Sequence, residues 1–174
     1  MRNFSELLNV FPQIGRVEWI GLRPAHRGSL VAVSSAKLER ASGLSGDHYS
    51  KQGGNRQVTL IQFEHLAVIG ALCGRETVQP ELLRRNLVIS GINLLALKTQ
   101  QFHIGDALLE GTGLCEPCSR MEQTLGAGGH HAMRGHGGIT ARVLRDGEIR
   151  LGDVVGLAAP EQYGLQLHES TPFG

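Results

Sequence analysis

The chain is short of aromatic residues, of cysteines, of long apolar runs and of net charge. With Phe, Trp and Tyr together at 5% against 24 glycines, the composition favours a turn-rich architecture over a helical bundle. Three cysteines in 174 residues do not make a disulfide framework. An odd count with one close pair fits a reducing compartment and thiols that react or ligate. A formal charge of +1 gives no support for a nucleic-acid coat or a membrane-surface protein. The most apolar stretch, Leu87 to Leu97, is broken by Ser90, Gly91 and Asn93, and it is about half of the roughly 20 residues needed to span a bilayer. The start, Met1 to Glu6, carries no apolar run behind a basic cap. The expectation is a cytoplasmic protein with neither membrane nor nucleic acid as a partner. No Ser-His-Asp motif, Walker phosphate loop or dinucleotide fingerprint stands at a convincing position.

What is present is a series of short apolar segments divided by glycine. Residues 16–22 read as a first strand, closed by Pro24, and 30–38 as one or two more. A glycine-rich loop follows from Gly43 to His48, then a buried strand over 57–61. Phe63, Leu66, Ala67 and Gly70 share a helical face, and Gly74 stops that helix. Pro80 opens a short helix to Leu83, 86–90 is a strand, and 101–104 with 107–111 form a hairpin. Pro117 begins a third helix to Leu125, and 126–138 is a loop. The end repeats the hairpin pattern over 139–144, 148–151 and 154–158. One mainly β domain, 1–174, is expected: a closed or partly closed barrel with a few short helices, its core at about 16–158 and a weakly specified tail at 159–174.

The sharpest chemical signal is Cys115-Glu116-Pro117-Cys118. A thiol on the first turn of a helix faces the positive end of the helix dipole, which favours thiolate, and Arg120 pushes the same way. The plain alternative is two small buried hydrophobes. Cys115, Cys118, His131 and His136 also satisfy the formal spacing of a zinc finger, but Gly126, Gly128, Gly129 and Gly135 interrupt the helix such a finger requires. A thioredoxin-type pair would follow the first strand of a βαβ unit, not a late hairpin. Arg84-Arg85-Asn86 stands where a short helix meets a strand, and guanidiniums there suit a phosphate; a solvated surface pair is the alternative. Arg134-Gly135-His136-Gly137-Gly138 could form an amide nest for an anion, or an ordinary connector. Asp47 could brace its own loop, and His48 and His136 could hand over protons.

Taken in order, Gly43-Leu44-Ser45-Gly46-Asp47-His48, Arg84-Arg85-Asn86-Leu87-Val88-Ile89, Phe102-His103-Ile104-Gly105-Asp106, Pro117-Cys118, Gly137-Gly138 and Gly147-Glu148-Ile149 with Gly152-Asp153 resemble the MOSC domain, the module named for the C-terminal domain of molybdenum-cofactor sulfurase. The resemblance spans roughly residues 16–158 and is closest to stand-alone bacterial members. It implies a strand-rich barrel of the kind also found in pyruvate kinase, a bound molybdenum cofactor (molybdopterin), and Cys118 as the molybdenum ligand. It implies that Arg84 and Asn86 help hold the pterin and its phosphate, with Arg85, Arg134, Gly137, Gly138 and Asp47 as further binding candidates. It also implies reduction of N-hydroxylated compounds, including hydroxylated purine bases. A sulfur-carrier or cofactor-delivery module using a Cys118 persulfide is the alternative. The block Arg-x-Asn often has proline in the middle and has Arg85 here, and Cys115 is an extra thiol. Four cysteines for an iron–sulfur segment are lacking, so electrons for a small-molecule substrate would come from an external flavin or iron–sulfur reductase.

Overall fold

Alternation of buried and exposed residues makes Gly15–Leu22 the first strand, β1, with Val17 and Ile20 turned inward. The computed structural model describes residues 2–49 and 53–159. Before β1 lies a single-turn helix, α1 (Phe4–Leu7), closed by a capping box between Asn3 and Glu6. After it come β2 (Val31–Val33), β3 (Ser35–Glu39), β4 (Gly43–Leu44), β5 (Val58–Gln62), α2 (Phe63–Leu72), β6 (Leu87–Ser90), β7 (Gln101–Ile104), β8 (Ala107–Leu114), α3 (Ser119–Leu125), α4 (Gly129–Met133), β9 (Ile139–Arg145), β10 (Gly147–Arg150) and β11 (Val154–Leu157). Two 3-10 turns, Pro80–Leu83 and Leu94–Leu97, precede and follow β6. The expected tail falls outside the described residues from position 160 onward.

The sheet runs β11-β7-β8-β9-β5-β6-β1, and β11 pairs back onto β1 through Gly15 with Val155 and Arg16 with Val154, closing a seven-stranded barrel. The expected β-barrel is the observed one. Closure leaves no open edge among these seven strands, and β2 adds to the outside of β1. A small second sheet, β10-β3-β4, lies beside the barrel. Leu60, Leu87, Ile89, Phe102, Leu109, Val143 and Val155 fill the interior, where full burial of each such side chain contributes about 1.5–3 kcal/mol.

Among the described residues, only β5 and β6 pair in parallel. A parallel pair needs a crossover, and α2 with the Pro80–Leu83 turn supplies it. These elements, joined by α3 and α4, cover the outer face, so Ile61 and Val88 are buried against Leu66, Ile69, Leu83, Met121, Leu125 and Met133. Burial on both faces explains why the adjacent residues Leu60 and Ile61 of β5 are both apolar and fully buried.

Several expectations are corrected. The buried face of α2 is Leu66, Ile69 and Gly70, while Phe63 is exposed. The last three strands do not make consecutive hairpins: β10 pairs with β3, and β11 with β7 and β1. Asp146 draws the intervening turn toward the second sheet, since its Oδ1 accepts the Arg40 N–H at 2.7 Å. The stretch 126–138 is not all loop. Glu122 accepts the N–H groups of Gly128 (2.7 Å) and His130 (3.0 Å), and so satisfies the first turn of α4 despite its glycines. The third helix begins at Ser119 rather than Pro117, which leaves Cys118 at the N-cap. The zinc spacing comes to nothing in space: among the described residues, no three or more His, Cys, Asp or Glu side chains gather as a metal site.

Candidate functional site

The site is assembled from four segments that the fold brings together. They are the loop after β4, the loop after β1, the segment entering β6, and the link from β8 to α3. Asp47, on the first, is buried at 6% exposure. Its Oδ2 accepts from Asn86 Nδ2 (2.8 Å) and the Arg23 N–H (3.0 Å), and its Oδ1 accepts from the Tyr49 N–H (2.8 Å). The Arg23 guanidinium approaches the same carboxylate at 3.8 Å. Asn86 is equally engaged. Its Nδ2 also donates to the Gly21 carbonyl, and its Oδ1 accepts from the Thr59 N–H and hydroxyl. Both amide hydrogens and the amide oxygen are therefore used inside the protein. Asp47 and Asn86 tie the loops together rather than present free polar groups.

The two neighbouring arginines differ completely. Arg85 is buried, and its Nε, Nη1 and Nη2 donate to the carbonyls of Gly137 (2.8 Å), Leu83 (2.9 Å) and Cys115 (2.9 Å). Burial pulls its pKa down, while the Cys115 and Cys118 sulfurs oppose that shift. Arg84 ends the Pro80–Leu83 turn with φ 59°, a left-handed conformation costly for a residue with a Cβ. Its side chain has no hydrogen bond or ion pair among the described residues. Desolvation, then repulsion from Arg23 and Arg120, lowers its pKa, with Cys118 opposing. Of the two, Arg84 is available to an anion, and Arg85 is committed to the backbone.

Arg84 and Cys118 meet on the wall of one cleft of about 260 Å³. Arg23, Arg56 and Arg85 line it as well, together with Tyr49, Thr59, Asn86, Cys115 and Glu116. Cys118 is exposed and Cys115 is 2% exposed. The Cys115 Sγ lies 3.9 Å from Arg56 Nη2. The Arg23 Nε is buried and lacks a partner among the described residues, an unmet donor in a wall already rich in positive charge. The cleft can therefore take an anion and present the Cys118 sulfur to a soft metal. A larger hollow, about 570 Å³, lies elsewhere and is a weaker candidate. It contains no thiol, and its Arg142 is paired with Glu110.

Sequence reasoning missed Arg23 and Arg56. Each is a single arginine in an unremarkable loop, and only the fold sets them beside Asp47 and Cys115. The other named candidates lie off the cleft. Arg134 is exposed at the end of α4. Gly137 and Gly138 act as backing, not as an amide nest. The Gly137 carbonyl accepts from Arg85, the Gly138 carbonyl accepts the Cys115 N–H at 2.9 Å, and a Cβ on Gly137 would run into the Cys115 carbonyl. His136 packs edge-on against His65, with ring centres 4.8 Å apart and its Nδ1 buried without a partner among the described residues. His48 is outside the lining but donates its backbone N–H to the carbonyl of Arg23, which lines it; the His48 Nε2 lies 3.1 Å from His26 Nδ1, and the His26 pKa is lowered by desolvation and then by the charges of His48, Arg27, Arg120 and Arg23.

No helix among the described residues is long and apolar enough to cross a membrane. No curated protein matches the chain. Among solved structures, YuaD from Bacillus subtilis superposes with a TM-score of 0.72 at 19% identity, covering 84% of this chain and 97% of that one. YiiM from Geobacillus stearothermophilus superposes with a TM-score of 0.64 at 19% identity, over 83% of this chain and 75% of that one. YiiM from Escherichia coli gives 0.64 at 18% identity, over 83% and 70%. These likenesses establish the shared barrel. The model of the MOSC domain matches residues 22–156, most of the chain and every wall of the cleft. MOSC domains are associated with the biology of the molybdenum cofactor, and the chain belongs to the MOSC domain family.

Proposed function

We propose that the cleft holds the molybdenum cofactor, with Cys118 as the protein ligand to molybdenum, and that the protein reduces N-hydroxylated compounds such as hydroxylated purine bases in the cytoplasm. The observation that carries this reading is an exposed thiol sharing one cleft with two uncommitted guanidinium donors, Arg84 and the Arg23 Nε. The residues fit the group. Its phosphate is an anion that forked donors suit, and its metal prefers soft sulfur. When bound, the cofactor supplies two-electron redox chemistry at the metal.

The chain's own residues bind and orient. Arg84 and Arg23 grip the phosphate. Asp47 and Asn86 hold the loop carrying Arg23 against β6, and Arg85 fixes the Cys115 carbonyl and with it the approach to Cys118. In the net reaction the N–O bond of R–NHOH breaks, two electrons and two protons are consumed, and R–NH2 and water form. The electrons come from an external flavin or iron–sulfur reductase. In this reading His48, which shares a hydrogen bond with His26 and donates its backbone N–H to the Arg23 carbonyl, relays protons from solvent.

The test is molybdenum and pterin analysis of protein made in a cofactor-competent host, with reduction of a hydroxylated purine by an artificial electron donor. Wild type should carry the metal and turn over, and Cys118→Ser should lose turnover. Full activity in Cys118→Ser would remove the assigned role. The exposure of Cys118 also suits a sulfur carrier. A mass gain of one sulfur on Cys118, without turnover, would favour that second reading.

A further inference from the structure

Next to the cleft lies a second hollow of about 300 Å³, and Arg84 is a wall of both. Its charged lining is Arg27, Arg84 and Arg120 against one carboxylate, Glu81. Among the described residues, none of these three guanidiniums takes part in a hydrogen bond or ion pair. Elsewhere the chain does neutralise arginines, as with Arg142 on Glu110 and Arg150 on Glu148. Three like charges facing a single carboxylate that pairs with none of them raise the energy of the free protein and favour an anionic ligand. Arg27 (φ 62°) and Arg84 (φ 59°) are also the non-glycine residues with positive φ among those described, so backbone strain falls on two of the three. Ser29, Gln123 and Thr124 add neutral polar groups to the same lining.

We propose that this second hollow anchors a phosphate monoester carried by the substrate, so that the preferred substrates are N-hydroxylated nucleoside monophosphates rather than free bases. The inference rests on the reductase reading for the N–OH end alone. A nucleotide would lie beside Arg84, with its base facing the mouth of the thiol-bearing cleft and its phosphate between Arg27 and Arg120. Phosphate in the second hollow has two possible sources, the substrate or the cofactor's own tail, and they are separable.

The purified full chain is titrated calorimetrically with adenosine monophosphate and with adenosine. Wild type should bind the nucleotide about tenfold tighter than the nucleoside. The double variant Arg27→Ala/Arg120→Ala should lose about tenfold for the nucleotide and nothing for the nucleoside. Glu81→Gln, which removes the opposing carboxylate, should tighten the nucleotide, and unchanged adenosine binding by the double variant shows that its loss is not misfolding. Equal affinity for the two ligands, or a double variant that binds the nucleotide as wild type does, overturns the proposal. So does a double variant that loses molybdenum and pterin content when made in a cofactor-competent host, because the hollow then serves the cofactor's phosphate. Nucleotide discrimination abolished by the double variant, in a protein that reduces no N-hydroxylated compound, sustains the phosphate-ester site and sinks the reductase reading instead.

Discussion

Arg85 Nη2 donates to the Cys115 carbonyl at 2.9 Å, and this bond joins the segment entering β6 to the loop that presents Cys118. The same guanidinium reaches Gly137 and Leu83. One buried cation therefore closes three backbone acceptors from three parts of the chain, while its neighbour Arg84 stands free.

Arg85→Ala should destabilise the fold by about 3 kcal/mol or more, since three buried carbonyls lose their donor. Arg84→Ala should change stability by under about 1 kcal/mol, because it removes no bond and keeps the left-handed strain. Urea midpoints of the two variants measure the contrast. Similar midpoints would contradict the division of labour between the arginines.

Alkylation should discriminate the thiols. Cys118 is exposed and Cys115 almost wholly buried, so iodoacetamide on native protein should modify Cys118 first, and Cys115 only on unfolding. Peptide mapping by mass spectrometry reads the order. Prior modification of Cys115 would mean that the cleft opens more widely than the structure shows.

Gly138→Ala should cost several kcal/mol, on the order of the largest single-residue effects. Gly138 has φ 83°, and an added Cβ would collide with the Leu60 carbonyl on β5. The shift would also move the carbonyl that accepts the Cys115 N–H. Thermal unfolding, together with alkylation of Cys115 in the variant, tests both consequences. A wild-type melting temperature would refute the packing argument.

Acid should loosen α4 through Glu122. Its carboxyl is held below the ordinary value of 4.5, first by the His130 N–H and then by the Gly128 N–H. A depressed folded-state pKa means that the unfolded chain binds the proton more readily. The stabilising contribution is therefore complete above the unfolded value and is lost as pH falls through the lower folded one. Glu122→Gln should flatten the acid limb of stability below about pH 4.5. An unchanged acid limb in that variant would remove Glu122 from the account.

The strands were legible because burial imposes a period on sequence. Gly15–Leu22 alternates, and the doubly covered β5 and β6 each hold adjacent apolar residues. The partners of β10 and β11 were not legible. Their turns look like hairpins, and what redirects them is a bond from the Arg40 N–H to Asp146 across 106 residues. The helix α4 was hidden for a similar reason, since its N-terminus is satisfied by a carboxylate on the preceding helix rather than by its own residues.

By itself the sequence determined the barrel class and singled out Cys118 as a candidate thiol and Arg84-Arg85-Asn86 as a basic block, because each depends on local period and residue type. Tertiary structure decided the rest. It assigned Arg85 and Asn86 to the scaffold and Arg84 to the opening, brought Arg23 and Arg56 to the cleft, and turned the Gly137-Gly138 pair into support. The physical reason is that a side chain's task depends on which donors and acceptors remain unpaired after folding, and pairing over long chain separations leaves no mark on the residues between.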